Sequence, residues 1–116
     1  SSDLDVSVKL PDGRRKDFDL IVEKDGKKQY IEVERGTHTD EDFFDAMDKI
    51  YQITNEIYFI SPNEEKLSGK TRDQVYKWIK NRLGGINKVK GKLTLHFTTF
   101  EKLKKKLPNP WETVKL

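Results

Sequence analysis

The feature that most constrains the fold is a turn sequence, Lys24-Asp25-Gly26-Lys27, which separates two stretches of alternating apolar and polar residues. Asp-Gly between such stretches is the strongest short-range signal of a β-hairpin, because a type I′ turn needs a positive φ at both central residues. A two-residue turn also fixes the register of the two strands. The sequence therefore predicts a hairpin of residues 18–23 and 28–34 in which Asp19 faces Glu32.

This register sorts the side chains of the hairpin onto two faces, because neighbours in a strand point to opposite sides of the sheet. One face is predicted to be apolar core, and its members are Phe18, Leu20, Val22, Ile31 and Val33. The other face is predicted to be exposed, and its members are Asp17, Asp19, Ile21, Glu23, Lys28, Tyr30, Glu32 and Glu34. The carboxylates of the exposed face are concentrated at the end away from the turn.

Two acid-acid pairs in succession distinguish this face from an ordinary exposed sheet. Asp19 is predicted to face Glu32 and Asp17 to face Glu34, and like charges directly opposite destabilise a sheet. A hard divalent ion such as Mg²⁺ or Mn²⁺ would offset the repulsion, because these ions prefer carboxylate oxygens. Two explanations stay open, a divalent-metal site or solvated acids with lysine and arginine neighbours.

The rest of the chain predicts a single α/β domain over residues 1–116, cut from a longer protein. Alternation predicts strands, whereas apolar stripes with caps predict helices. The predicted order is β-β-β-α-β-α-β-α, a mixed sheet in which an antiparallel three-stranded meander is followed by a βαβ-type parallel addition, flanked by helices. The predicted strands are residues 4–10, 18–23, 28–34, 56–60 and 93–97, and the predicted helices are about residues 40–52, 71–83 and 100–107. The last helix is expected to bury Phe100, Leu103 and Leu107, and residues 108–111 to be peripheral, held to the surface by Trp111.

Charge is divided unevenly along the chain. Residues 1–65 carry 9 Lys and Arg against 17 Asp and Glu, whereas residues 66–116 carry 14 against 3. A basic segment of this kind indicates a polyanionic partner such as DNA, and ordinary solvated charge is the alternative. Tyr76 and Trp78 either stack on bases or pack in the core. The candidate nucleic-acid-binding residues are Lys70, Arg72, Lys77, Lys80, Arg82, Lys88 and Lys90.

Several classes of protein and of site do not fit the sequence. The chain has no cysteine, which excludes disulfides and thiolate metal sites and fits a reducing compartment. Its apolar runs are too short to span a bilayer, so no membrane partner is expected and the expected location is the cytoplasm. No nucleotide-binding fingerprint is present, and no small-molecule cofactor is expected.

Asp19, twelve intervening residues and Glu32-Val33-Glu34 resemble the metal-binding corner of the PD-(D/E)xK restriction-endonuclease-like superfamily. The stretch Tyr30–Thr37, YIEVERGT, is also similar to a segment of replication-relaxation and mobilisation proteins of plasmids and conjugative elements. The resemblance covers about residues 4–60. It implies a restriction-endonuclease-like fold, with Mg²⁺ or Mn²⁺ held by Asp19, Glu32 and the backbone carbonyl of Val33, and with Asp19, Glu32 and Glu34 as the catalytic residues.

The sequence departs from the superfamily pattern at two positions, since Glu34 stands where a lysine is usual and Phe18 where a proline is usual. Three functions stay open. One is a Mg²⁺-dependent endodeoxyribonuclease within a DNA-binding mobile-element protein, working beside other domains of its parent chain. The second is a catalytically inactive nuclease-fold module that binds DNA or a protein. The third is a plain interaction domain with no nucleic-acid partner. His38 is either an additional ligand or acid-base group beside the acidic face, or a polar loop residue.

Overall fold

The computed structural model describes residues 2–116, with side chains from Val6 onward. Its centre is one six-stranded sheet whose strands lie side by side in the order in which they occur in the chain. β1, β2 and β3 pair antiparallel, β3, β4 and β5 pair parallel, and β6 returns antiparallel to β5. The predicted α/β class and mixed sheet are confirmed. The strands are β1 Ser2–Lys9, β2 Arg15–Lys24, β3 Lys27–Val33, β4 Glu56–Ser61, β5 Thr94–Thr99 and β6 Glu112–Lys115.

Helices follow β3, β4 and β5. The helices are α1 Asp40–Tyr51, α2 Glu64–Lys66, α3 Arg72–Arg82, α4 Ile86–Val89 and α5 Phe100–Lys104, and a π-helical turn, Leu67–Thr71, joins α2 to α3. Thr39 begins α1 as its N-cap by accepting a hydrogen bond from the Asp42 amide at 3.2 Å, and three acids occupy the first turn, where the helix dipole favours negative charge. No helix within residues 2–116 has both the length and the apolar character needed to cross a bilayer.

Apolar side chains cover both faces of the sheet. On one face, α1 and α3 bury a large core against the central strands. Its fully buried aromatic members are Phe18, Phe43, Phe59, Trp78 and Phe97. On the other face a smaller cluster of Ile31, Tyr58 and Ile60 is covered by Leu103 and Trp111. The sheet is therefore a central layer, and a charged side chain placed on either face has to be paired or lie at an edge.

The predicted assignment of faces in the hairpin was wrong. The face expected to be exposed is the helix-covered one, because Ile21 is 9% exposed and lies in the large core, and Glu32 is 5% exposed. Leu20 is only half-buried, against the smaller cluster. Phe18 and Ile21 contact the same core although they are three residues apart. Strict alternation is therefore lost in β2 near Asp19. The prediction assumed that one face of the hairpin is exposed to solvent, whereas both faces of the sheet are covered.

The C-terminal segment was predicted only in part. Residues 112–115 form the edge strand β6, which is missing from the predicted order, whereas the expected anchoring of residues 108–111 by Trp111 is confirmed. The Thr98 hydroxyl donates a hydrogen bond to the Pro110 carbonyl at 2.7 Å, and Trp111 packs edge-on against Tyr58 with ring centroids 5.0 Å apart. Helix α5 ends at Lys104, and Phe100 and Leu107, expected to be buried, are 38% and 44% exposed.

Candidate functional site

The hairpin keeps the predicted register only near its turn. The residue pairs from Lys24 and Lys27 to Leu20 and Ile31 match the prediction, and Asp25 and Gly26 have the positive φ values of 53° and 76° that the turn requires. The ladder of paired residues ends at Leu20 and Ile31. The predicted backbone pairs of Asp19 with Glu32 and of Asp17 with Glu34 are therefore not formed.

Beyond the last backbone pair of the hairpin, the Asp19 side chain binds β3. Its Oδ2 accepts a hydrogen bond from the Val33 amide at 2.9 Å, so a side-chain carboxylate replaces the backbone carbonyl that a continuing strand would offer. The rest of the Asp19 side chain stays exposed. This contact draws the Asp19 carboxylate to the end of β3, beside Glu32 and Val33, the three residues for which the resemblance implies metal binding.

Glu32 is a buried carboxyl group in the middle of the sheet. It lies in β3 between Asp19 on one side and Phe59 of β4 on the other, and 5% of it is exposed. Burial raises the pKa of Glu32 to about 8, with a further upward contribution from Asp19 and an opposing one from Lys16. The desolvation of the carboxylate outweighs the nearby cation, so the protonated form is favoured at neutral pH.

Lys16 is the partner of Glu32 and was not predicted from the sequence. Its ammonium nitrogen lies 2.6 Å from Oε1 of Glu32, and 14% of its side chain is exposed. In strict alternation Lys16 would point away from Asp19, and only the irregularity in β2 brings both residues to Glu32. The sequence did contain a signal, because Lys16 alternates with Phe18 on the predicted core side, and a lysine in a core requires an acid.

Glu34 and His38 form a second pair beside the first. Glu34 is 6% exposed, and burial raises its pKa, while His38, with Nδ1 3.1 Å from Oε2 of Glu34, lowers it. The charges of Asp19 and Lys16 also act on Glu34, which places the two pairs in one electrostatic unit. We refer to Lys16, Asp19, Glu32, Glu34 and His38 as the carboxylate cluster.

The loop before α1 holds His38 in place. Gly36 has φ of 82°, a left-handed conformation that favours glycine and lets the chain turn between Glu34 and His38. Gln74 of α3 is 1% exposed, and its amide nitrogen donates to the His38 carbonyl at 3.0 Å and to Oδ1 of Asp40 at 3.1 Å. The Gly-Thr-His segment therefore has a structural role in orienting the second pair.

The chemistry of the cluster fits a hard divalent cation, although its present geometry is that of ion pairs. Within residues 6–116 no three Asp, Glu or His side chains converge on a common point as metal ligands. Oε1 of Glu32 is buried and contacts the Lys16 ammonium at 2.6 Å. A buried carboxylate oxygen that already contacts a cation, next to a second carboxylate, is of the ligand type that hard divalent cations prefer.

Three of the seven predicted nucleic-acid-binding residues form ion pairs with carboxylates of the same chain. Arg82 pairs with Asp48, with Glu41 at 2.8 Å and with Asp45 at 3.2 Å, which ties α3 to α1. Lys77 pairs with Asp73 at 2.9 Å and approaches Asp40 at 3.6 Å, and Arg72 pairs with Glu112 of β6. Arg82 and Lys77 thus contact acids of α1, whereas Arg72 contacts an acid of the C-terminal strand.

The other four predicted residues are Lys70, Lys80, Lys88 and Lys90. No carboxylate among residues 6–116 lies within 4.0 Å of their ammonium groups. Lys70 is half-buried, and its methylene groups lie beside Gly36, whereas the other three are exposed. Trp78 is fully buried, so only Tyr76 of the two candidate aromatic residues is partly accessible.

The carboxylate cluster contains residues of β2, β3 and the loop before α1, and it lies where the β2–β3 pairing ends. Its choice as the candidate functional site depends on this geometry and on the short sequence resemblance around Glu32. In comparisons with known proteins, no family model, no curated protein and no solved structure matches the chain.

Proposed function

We propose that this chain is a DNA-binding domain of restriction-endonuclease-like fold that hydrolyses phosphodiester bonds with a divalent metal ion at the carboxylate cluster. The observation that carries the proposal is Glu32, a buried carboxyl with a raised pKa that lies beside a second carboxylate, Asp19, and contacts the Lys16 ammonium at 2.6 Å. A buried carboxyl with so perturbed a pKa costs stability, and such groups are concentrated at functional sites. The resemblance of residues 30–37 to mobilisation proteins supports a cytoplasmic mobile-element protein as the source of this activity.

Asp19, Glu32 and the carbonyl of Val33 are the proposed ligands of Mg²⁺ or Mn²⁺. Such an ion polarises a phosphoryl oxygen and lowers the pKa of a water molecule. Burial raises the pKa of Glu32, and Asp19 raises it further. Binding of a cation would oppose both effects, because the ion favours the ionised form of the two carboxylates.

Lys16 supplies the positive charge that the superfamily usually places at position 34. The Lys16 ammonium lies 2.6 Å from the Glu32 carboxylate, so a positive charge is present beside one of the proposed metal ligands. Glu34, with its raised pKa and its contact to His38, is the proposed acid-base group for the water or the leaving oxygen. Lys16 of β2 would then replace the lysine that the superfamily usually has at the position of Glu34, which follows β3 in the same hairpin.

The decisive experiment is a cleavage assay on supercoiled, linear and branched DNA with Mg²⁺ or Mn²⁺. We expect the wild-type chain to cut at least one of these, and Asp19→Asn, Glu32→Gln and Lys16→Met to reduce the rate about a hundredfold or more. Glu23→Gln is the matched control, because Glu23 lies in the same hairpin, opposite Lys28 and exposed. Absence of cutting with both metals, or full activity in Glu32→Gln, would overturn the proposal.

A catalytically inactive module that binds DNA or a protein is the second candidate. It is favoured by one specific observation, namely that Lys16 already occupies the position beside Glu32 and neutralises it. In that case metal would not bind, and Mn²⁺ would not broaden the amide resonances of residues 19 and 32–34 in an isotopically labelled sample. DNA affinity would be the same in wild type and in Glu32→Gln, with or without metal.

A further inference from the structure

A groove lies between the end of α3 and the short helix α4, away from the carboxylate cluster. Its volume is about 420 Å³, and it is lined by Tyr76, Lys80, Gly84, Gly85, Ile86 and Asn87. Gly84 and Gly85 have φ values of 87° and 106°, which favour glycine and leave the turn without side chains. The two helices and this bare turn form the walls of the groove.

The floor and one wall of the groove are apolar. Tyr76 packs on the large core with part of its surface and lines the groove with another part. Ile86 is 49% exposed, the most exposed of the large apolar side chains among residues 6–116. A flat aromatic ring beside an aliphatic side chain is a surface on which a planar ligand can stack.

The rim of the groove is positively charged. Lys80 lines it, and the Lys88 side chain lies against the turn, since a Cβ added to Gly84 would be only 3.2 Å from Cγ of Lys88. Lys90 and Lys92 are exposed in the following turn. No carboxylate among residues 6–116 is within 4.0 Å of these ammonium groups, in contrast to Arg82 at the end of the same helix. This charge is therefore available to an anionic ligand.

We infer that the groove binds single-stranded nucleic acid, with a base against Tyr76 and Ile86 and the neighbouring phosphates on Lys80 and Lys88. A volume of about 420 Å³ suits one unstacked nucleotide rather than a duplex, in which the bases are stacked on each other and inaccessible. Lysines contribute affinity for phosphates without sequence information, and the aromatic ring accepts any base. The ligand class is thus a flexible single strand.

The groove and the carboxylate cluster lie on different sides of α3. Tyr76 and Lys80 are four residues apart and share one face of the helix, whereas Gln74 points from the opposite face to the His38 carbonyl. The inference goes beyond the proposed hydrolysis and does not depend on it. Failure of one can therefore be distinguished from failure of the other.

The test is fluorescence anisotropy of a labelled oligothymidylate of about 15 nucleotides, and of a duplex of equal length, with EDTA present. We expect Lys80→Gln/Lys88→Gln to weaken single-strand binding about tenfold or more and to reduce the slope of log K against log salt by about 1.4. Tyr76→Ala should weaken binding at least about fivefold, and Tyr76→Phe should retain it. Lys104→Gln/Lys105→Gln at the C-terminal end of α5 is the matched control of equal charge and should leave the affinity nearly unchanged.

Three outcomes would overturn the inference. Duplex that binds as tightly as the single strand would exclude an unstacked base in the groove, as would normal binding by Tyr76→Ala. Competition by polyglutamate as effective as that by oligothymidylate would instead indicate an acidic protein partner. Glu23→Gln, which belongs neither to the groove nor to the carboxylate cluster, should keep its full affinity for the single strand. Folding of each variant is checked by its thermal unfolding.

Discussion

The Lys16 ammonium lies 2.6 Å from Oε1 of Glu32, and both side chains are almost removed from water. Burial nevertheless raises the pKa of Glu32 to about 8, so the loss of hydration outweighs the attraction of the cation. The cluster in its metal-free form therefore changes protonation just above neutral pH. Its stability, its affinity for cations and its response to substitution all depend on this balance.

The pH dependence of stability is the first consequence. The Glu32 pKa is raised from 4.5 in the unfolded chain to about 8 in the folded one. Between these values the folded state holds a proton that the unfolded state has lost, so the contribution of Glu32 is fully present below pH 4.5 and disappears as the pH rises through 8. The free energy of unfolding should fall by up to about 1.4 kcal/mol per pH unit in this window.

Urea unfolding across this pH window, on wild type and Glu32→Gln, checks the expectation. The glutamine variant should lose most of the slope and be the more stable protein above pH 8. A residual slope of the same sign is expected from Glu34, whose pKa is also raised. Glu23→Gln, in the exposed part of the same hairpin, should retain the wild-type slope. Identical slopes in wild type and Glu32→Gln would contradict the prediction.

Replacing Lys16 should reduce the free energy of unfolding, because the buried Glu32 carboxylate then has no cation beside it. In Lys16→Met the Glu32 carboxylate loses its cation, so its pKa should rise further and unfolding at pH 9 should become easier by about 3 kcal/mol. The double variant Lys16→Met/Glu32→Gln should recover most of this loss, because it removes the unpaired charge. Lys28→Met, an exposed change opposite Glu23, should alter stability by less than about 0.5 kcal/mol. If the double variant is no more stable than the single one, Lys16 does not act through Glu32.

Metal binding should release a proton. Metal ligands have to be deprotonated, and at pH 7 Glu32 still holds its proton. Titration calorimetry with Mn²⁺ in buffers of different ionisation enthalpy should therefore detect about one proton released per ion at pH 7, and less above pH 8. The release should vanish in Glu32→Gln and persist in Glu23→Gln. Binding heats that do not depend on the buffer would mean that Glu32 is not a ligand.

The contact between α1 and α3 provides a stability prediction outside the cluster. Asp48 accepts a hydrogen bond from Nε1 of the fully buried Trp78 at 2.9 Å and also pairs with Arg82. Asp48→Ala leaves the indole donor without an acceptor, which should reduce the free energy of unfolding by about 2 kcal/mol. Asp45→Ala removes only an exposed ion pair with Arg82 and should cost about 0.5 kcal/mol or less. Equal losses in the two variants, measured by urea unfolding, would refute this role of Trp78.

The regular part of the hairpin could be predicted from the sequence, because Asp25-Gly26 fixes the turn and the turn fixes the register. The break at Asp19 could not be predicted in this way. It depends on the Asp19 carboxylate taking the Val33 amide, a competition between side chain and backbone that alternation does not encode. Glu32 could therefore be identified as a site residue from the sequence. Lys16 could be recognised as a lysine on the predicted core side, but alternation did not assign Glu32 as its partner.

The distribution of charge shows a similar limit. The basic segment was recognised from composition, but composition does not say which cations are paired inside the protein. Arg82 and Lys80 both lie at the end of α3, yet only Arg82 meets the acids of α1. Those acids form one stripe of α1, because they lie four and three residues apart: Glu41, Asp45 and Asp48. Such an acidic stripe indicates a lysine or arginine partner within the same chain.

The order of strands in the sheet has a consequence for how the cluster is assembled on the ribosome. Each strand pairs with the strand that was synthesised just before it, so no long-range pairing has to wait for the C-terminus. The members of the carboxylate cluster are all present by residue 38, but Glu32 obtains its other neighbour, Phe59, only when β4 emerges. The hairpin alone would therefore leave one side of Glu32 uncovered. The burial that raises the pKa of Glu32 needs the parallel half of the sheet as well as the hairpin.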